Sequence, residues 1–157
     1  MKKLCMLALI VTALCLFAGC GSGNASDTVS DTDIDAVYSE ITKSVELPEM
    51  VTLDEDRQFD YMGLDPELIS SSIVAISGDS IRADEIWLIN AADSSSAEKI
   101  ASLASSRVEQ RANEYKNYNA EVYAVIQEAK VLRRGNCVAL FISLDAETME
   151  NIFMSRS

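Results

Sequence analysis

Apolar residues occur in two kinds of run along this chain. The first, Leu4 to Gly19, carries no charge and follows Lys2 and Lys3. A positive head and an apolar middle are the layout of an export signal, and the run is shorter than the ~20 residues a spanning helix needs. From Gly21 to Asp31 (GSGNASDTVSD) periodicity vanishes in a small, polar stretch that cannot bury enough surface to fold. Beyond it, apolar positions return at the spacings of helices and strands.

Ile34, Val37, Tyr38, Ile41 and Val45 fall at helical spacing behind a Thr/Asp cap and ahead of Pro48. A second, short helix is predicted from Asp54 to Met62, closed by Gly63. The β-branched run Ser72–Ser77, a turn at Gly78-Asp79-Ser80 and the run Glu85–Asn90 predict an antiparallel strand pair. The longest helical pattern spans Ser94 to Asn119. Ile100, Ala101, Ala104, Val108, Ala112 and Tyr115 form its stripe, with Lys99, Ser102, Arg107, Glu109 and Lys116 on other faces. Ala129–Arg134 and Cys137–Ile142 predict a hairpin about Gly135-Asn136, and Asp145 opens a closing helix with Met149, Ile152 and Phe153. The expected fold is α+β, a two-layer sandwich of a mainly antiparallel four-stranded sheet with helices packed on one face.

Phe17-Ala18-Gly19-Cys20, at the end of the first apolar run, resembles the lipobox of bacterial lipoproteins, with Phe17 where leucine is usual. The resemblance implies cleavage before Cys20 and a diacylglycerol on its thiol. It divides the chain into a signal peptide (1–19), a lipidated cysteine and flexible tether (20–32) and a single α+β domain (33–157). Two acyl chains hold a protein on a bilayer where one holds only marginally, so the expected location is the extracytoplasmic face of the cell membrane. Cys5 and Cys15 leave with the leader, and Cys137 alone remains as a free thiol with no partner for an internal disulfide. Cleavage also removes Lys2 and Lys3 and no acid. It leaves 11 basic residues against 25 acidic, a net of −14 where the full chain carries −12. Such a body is repelled by nucleic acid and by anionic lipid.

Candidate chemistry is sparse. The chain has no histidine, which removes His-based triads and imidazole bases. Ser96-Ala97-Glu98-Lys99 has the S-x-x-K spacing of a serine nucleophile and a lysine, but Ser95-x-x-Glu98 at the same place is a capping box. Asp31-Thr32-Asp33-Ile34-Asp35 opens like a calcium loop, yet Ala36 and Thr42 stand where glycine and glutamate are needed. The acidic segment 54–67 is either a cation site or a solvated helix face. Cys137 reads as a small buried hydrophobe. Tyr115, Tyr118 and Tyr123, interleaved with asparagines, are the candidate ligand-binding residues, since aromatic faces and amides serve sugar and peptide recognition. No catalytic residue, metal ligand or cofactor site is assigned.

The order of Tyr61-Met62-Gly63-Leu64-Asp65, Val74-Ala75-Ile76-Ser77-Gly78, Ala83-Asp84-Glu85-Ile86 and the Gly135-Asn136 turn feeding Val138–Ser143 resembles a family of small lipoproteins of Gram-positive bacteria, a domain of unknown function. The resemblance spans Ile34 to Phe153 and implies a surface location without supplying catalytic residues. The expected role is a non-enzymatic binding module of the cell envelope, engaging an envelope protein or a small ligand. The alternatives are a scaffold or assembly accessory contacting a membrane protein and, more weakly, a metal-dependent envelope hydrolase.

Overall fold

A computed structural model of the chain describes residues 31–156. The leader, Cys20 and most of the tether lie outside the described residues. In chain order the elements are α1 (Ile34–Ser44), β1 (Met50–Thr52), α2 (Glu55–Met62), a 3₁₀ turn (Pro66–Leu68), β2 (Ile69–Ser77), β3 (Glu85–Ala91), α3 (Ser94–Tyr115), α4 (Ala120–Gln127), β4 (Lys130–Arg134), β5 (Cys137–Ile142) and α5 (Ala146–Ser155). The five strands form one sheet in the order β1-β2-β3-β5-β4, with every neighbouring pair antiparallel.

The expected α+β class and antiparallel sheet are therefore present, with two corrections. The sheet has five strands rather than four. The added edge strand, β1, is only three residues long and too short to leave a period-2 signal. Helices also cover both faces of the sheet rather than one. Strand side chains alternate between faces, so Trp87, Ile89, Val138, Leu140 and Ile142 pack under α3 and α4. Ile86, Leu88, Ala139 and Phe141 pack under α1 and α5. Both β3 and β5 are consequently buried along their whole length, which is why they read as continuous apolar runs rather than alternating ones.

Local chemistry fixes the element ends. Asp33, Asp54 and Asp93 each accept a hydrogen bond from a backbone N–H of the first turn of α1, α2 and α3. The bond from Ser96 holds the Asp93 carboxyl below its usual range. Gly63 closes α2 at φ +69°, and Gly135 turns the β4–β5 hairpin at φ +60°, a region costly for residues with a Cβ. Two predicted ends move. The cap of α3 is Asp93, two residues before the expected Ser95. That helix also stops at Tyr115, because Asn119 starts α4 by accepting from the N–H groups of Glu121 and Val122.

The registers give the domain two distinct ends. At one, the chain enters beside the end of β3. Thr32 N–H donates to Asn90 Oδ1 (3.1 Å), Asn90 Nδ2 donates back to Thr32 O (2.8 Å), and Arg134 Nη2 donates to Thr32 Oγ1 (3.2 Å). At the other lie the start of β3, the ends of β2 and β5 and the end of α3. Glu85 and Asn90 are five residues apart on β3, about 17 Å of extended chain.

Burial on both faces predicts that large-to-small changes cost similar amounts on either side. Leu140→Ala, under α3, and Phe141→Ala, under α1 and α5, should each lower unfolding free energy by about 3–5 kcal/mol in urea denaturation. A negligible effect at Phe141 would return the domain to two layers.

Candidate functional site

The cluster best suited to bind something sits where β3 begins. Glu85 is 1% exposed, at the head of a strand whose other residues are apolar apart from Asn90 at its far end. A carboxylate so placed must find donors within the protein. Trp87, two positions on and on the same face, donates its indole N–H to Glu85 Oε1 (2.8 Å). Arg107, on α3 above, donates Nε to both carboxylate oxygens (3.0 and 3.2 Å) and Nη2 to Oε2 (3.0 Å). This paired, charge-assisted geometry is the strong form of the arginine–carboxylate contact.

One turn further along α3, Arg111 brings a second guanidinium to the same carboxylate without completing the bond. Its Nε lies 3.9 Å from Glu85 Oε2, beyond hydrogen-bond length. It is the one buried side-chain nitrogen or oxygen among the described residues with no hydrogen-bond partner. Arg111 Nη1 reaches Glu114 at 2.7 Å, and the guanidinium lies 5.0 Å from the centre of the Tyr115 ring. Tyr115 in turn donates its hydroxyl to Ser80 O (3.1 Å), tying the end of α3 to the β2–β3 loop. Arg107, Arg111 and Tyr115 recur at i, i+4 and i+8, so one face of α3 supplies all three.

Between this face and the β2–β3 loop is a cavity of about 260 Å³, whose charged lining is Arg82, Arg107 and Arg111 with Asp79, Asp84 and Glu85. Asp84 is held bidentately by Arg82 (2.8 and 3.2 Å), and this pair also borders a second cavity of about 320 Å³. The second is the more apolar, bounded by Ala83, Val122, Val125 and Leu144 with Glu121 at its border. Ile81, Tyr118 and Leu144 stand exposed on three separate loops at this end, Leu144 at 80%.

The three predicted tyrosines do not form one group. Tyr115 lines the first cavity. Tyr118 is 76% exposed and meets Tyr115 edge to face at 6.2 Å. Tyr123 is partly buried against the core under α4. The sequence pattern also placed Arg107 on a face of its helix other than the apolar stripe. The structure turns it onto the sheet, where only 13% of its side chain is exposed. The available signal was an acid at the head of an apolar strand together with arginines four residues apart on the long helix.

The remaining candidates are accounted for structurally. Ser96 is buried and Lys99 exposed, so the S-x-x-K pair faces two ways. Within the acidic segment Asp54 and Asp65 serve as caps and the other carboxylates are exposed. Among the described residues no three His, Cys, Asp or Glu side chains gather as a metal site. Cys137 is a free, buried thiol. Burial pushes its pKa up, against the smaller downward pull of Thr32 and the Arg134 charge.

Residues 43–143 match the family described as Domain of unknown function (DUF4358), and the chain belongs to that family. Among curated proteins and among solved structures, nothing matches it.

Two predictions follow from the geometry. Arg107→Ala leaves Glu85 buried without its main partner and should cost about 3–5 kcal/mol in unfolding free energy. Arg111→Ala loses a helical ion pair and a ring contact and should cost about 1 kcal/mol. Equal losses in urea denaturation would refute the unequal roles given to the two arginines. For Cys137, a thiol harder to ionise when folded favours the folded state while neutral. That contribution is present below the unfolded pKa, about 8.5, and lost as pH rises through the raised folded value. Wild type should therefore lose more stability than Cys137→Ala between about pH 8 and 10, and parallel pH profiles would contradict this.

Proposed function

We propose that this protein is a non-enzymatic binding module of the cell envelope, held on the extracytoplasmic face of the membrane by a diacylglycerol on Cys20, with its binding end turned away from the bilayer. The observation that carries the reading is the placement of the two ends along β3. The chain enters beside Asn90, whereas the arginine-lined cavity opens beside Glu85. A tether of residues 20–32 reaches at most about 40 Å, enough to hold the domain clear of the headgroups while the entry end faces them. The lipobox-like Phe17-Ala18-Gly19-Cys20 and the apolar leader support the anchor, and the net charge, −12 for the full chain and −14 once Lys2 and Lys3 leave with the leader, disfavours nucleic acid or an anionic lipid surface as the ligand.

A second reading, a scaffold that contacts a membrane protein, draws on the exposed Ile81, Tyr118 and Leu144 at the same end. A photo-crosslinking residue at position 118 in the native host distinguishes the two. One defined membrane-protein adduct favours the scaffold, whereas stabilisation of the purified chain by a small compound favours the binding module.

The anchor itself is tested at Cys20. Mass spectrometry of the processed N-terminus should show a diacylglyceryl thioether, and Cys20→Ser should abolish that mass and stop leader removal. An unmodified thiol on a cleaved wild-type chain removes the anchored role.

A further inference from the structure

We propose that the Arg107–Arg111 cavity is a carboxylate subsite, and that its ligand is a singly charged carboxylate carrying an apolar substituent that lies in the adjoining groove of Val122, Val125 and Leu144. The assignment rests on the binding-module reading and names its ligand class. Three of the seven arginines of a chain with net charge −12 line one cavity of about 260 Å³. Arg82 and Arg107 are committed there to Asp84 and Glu85. Arg111 is held more loosely. Among the described residues its one hydrogen bond runs from Nη1 to the partly solvated Glu114, its Nε is buried 3.9 Å from Glu85, and its Nη2 has no protein acceptor. A ligand oxygen in the cavity can supply the acceptor that Nη2 lacks, and the Tyr115 ring, its centre 5.0 Å from the guanidinium, helps to hold that group in place.

The charge balance selects the anion. Asp79, Asp84 and Glu85 equal the three arginines in number, so a dianion such as phosphate meets repulsion that a single carboxylate meets only in part. The neighbouring groove selects what the carboxylate is attached to. The Arg82–Asp84 pair borders both cavities, and beyond it the apolar wall ends in a leucine that is 80% exposed. A branched aliphatic group seated there removes apolar surface on both partners from water. Free carboxylic acids and peptide C-termini share this chemistry.

Trp87, the only tryptophan, reports on the site because its indole N–H is bonded to Glu85. The full chain, isotope-labelled and purified in detergent, is titrated with acetate, N-acetyl-leucine, N-acetyl-leucinamide, a leucine-terminated tripeptide and inorganic phosphate at constant ionic strength. The indole N–H resonance should shift saturably with N-acetyl-leucine, roughly ten- to a hundredfold more tightly than with acetate, and stay still with the amide. Tighter binding of the tripeptide marks a peptide C-terminus as the source, and tighter binding of the single residue marks a free acid. Arg111→Gln should abolish the shift while the unfolding midpoint falls only by the few degrees that about 1 kcal/mol implies. Leu144→Ser, at an exposed position, should erase the advantage over acetate and leave the acetate response intact. An amide that works as well as the acid, or phosphate as the strongest ligand, overturns the assignment. If all the carboxylates are silent while a neutral sugar or peptide stabilises the chain, the subsite is wrong and the binding-module reading stands; silence from every compound removes both.

Discussion

The end of the sheet where the cavities lie is organised by one constraint. A strand covered on both faces begins with a glutamate. Burying a carboxylate without donors costs several kcal/mol, so the Glu85 position dictates what stands above it. The nearest donor on its own strand is the Trp87 indole, and the nearest from outside is Arg107. Since α3 must present Arg107 to the sheet at this point, its rotation about its own axis is set. Arg111 and Tyr115 then follow one and two turns later, over the β2–β3 loop. A buried ion pair adds little net stability over apolar residues of the same size. What this one supplies is register between helix and sheet, and a second guanidinium is brought in on the same helix face.

The same helix connects the two ends of the molecule. At 22 residues α3 is about 33 Å long, capped by Asp93 near the chain entry and tied by Tyr115 to Ser80 near the cavity. Arg133, on edge strand β4, donates to Ser94 Oγ (2.7 Å) close to the start of α3. Arg134, the next residue and on the opposite face, bonds Thr32 and Phe153 O. Alternation along one strand thus fastens the long helix with one arginine and the chain entry with the next. Both fastenings lie at the Asn90 end of β3, away from the residues around Glu85.

The parts of this architecture legible in the sequence were those specified by local chemistry. Gly63, Gly135, Asp54 and the Thr/Asp cap before Ile34 mark element ends because a left-handed φ or an unpaired helical N–H needs a particular residue type. The cores of β2, β3 and β5 were visible as apolar runs. β1 escaped because three residues make no pattern, and α4 because AEVYAVIQ is too apolar and too short for a clear stripe. The second helical layer was foreshadowed only by β3 and β5 being apolar without alternation, a trait also compatible with partial cover. For the site the limit was different in kind. Glu85 and Arg107 are 22 residues apart, each ordinary where it stands, and only the packing of α3 on the sheet makes them a pair. Tyr115 was identified by its surroundings in sequence, but the cavity it lines is built from partners on another element.

The distribution of arginine argues for a small ligand over a large charged one. Six of the seven are paired with an acid: Arg57 with Asp54, Arg82 with Asp84, Arg107 with Glu85, Arg111 with Glu114, Arg133 with Glu98 and Arg156 with Glu40. These pairs neutralise arginine rather than the protein, so the excess of acid is carried by the rest of the surface. An extended polyanion would meet that field along most of its contact area. A single carboxylate placed in the cavity would have three guanidinium groups in the walls around it, beside three carboxylates, and at physiological salt charges more than about 8 Å away are largely screened from it. On a body repulsive to anions as a whole, an anion site has to be lined by arginines that the fold holds in position. The cavity at the head of β3 meets this condition, because Glu85 fixes the helix that carries two of its three arginines.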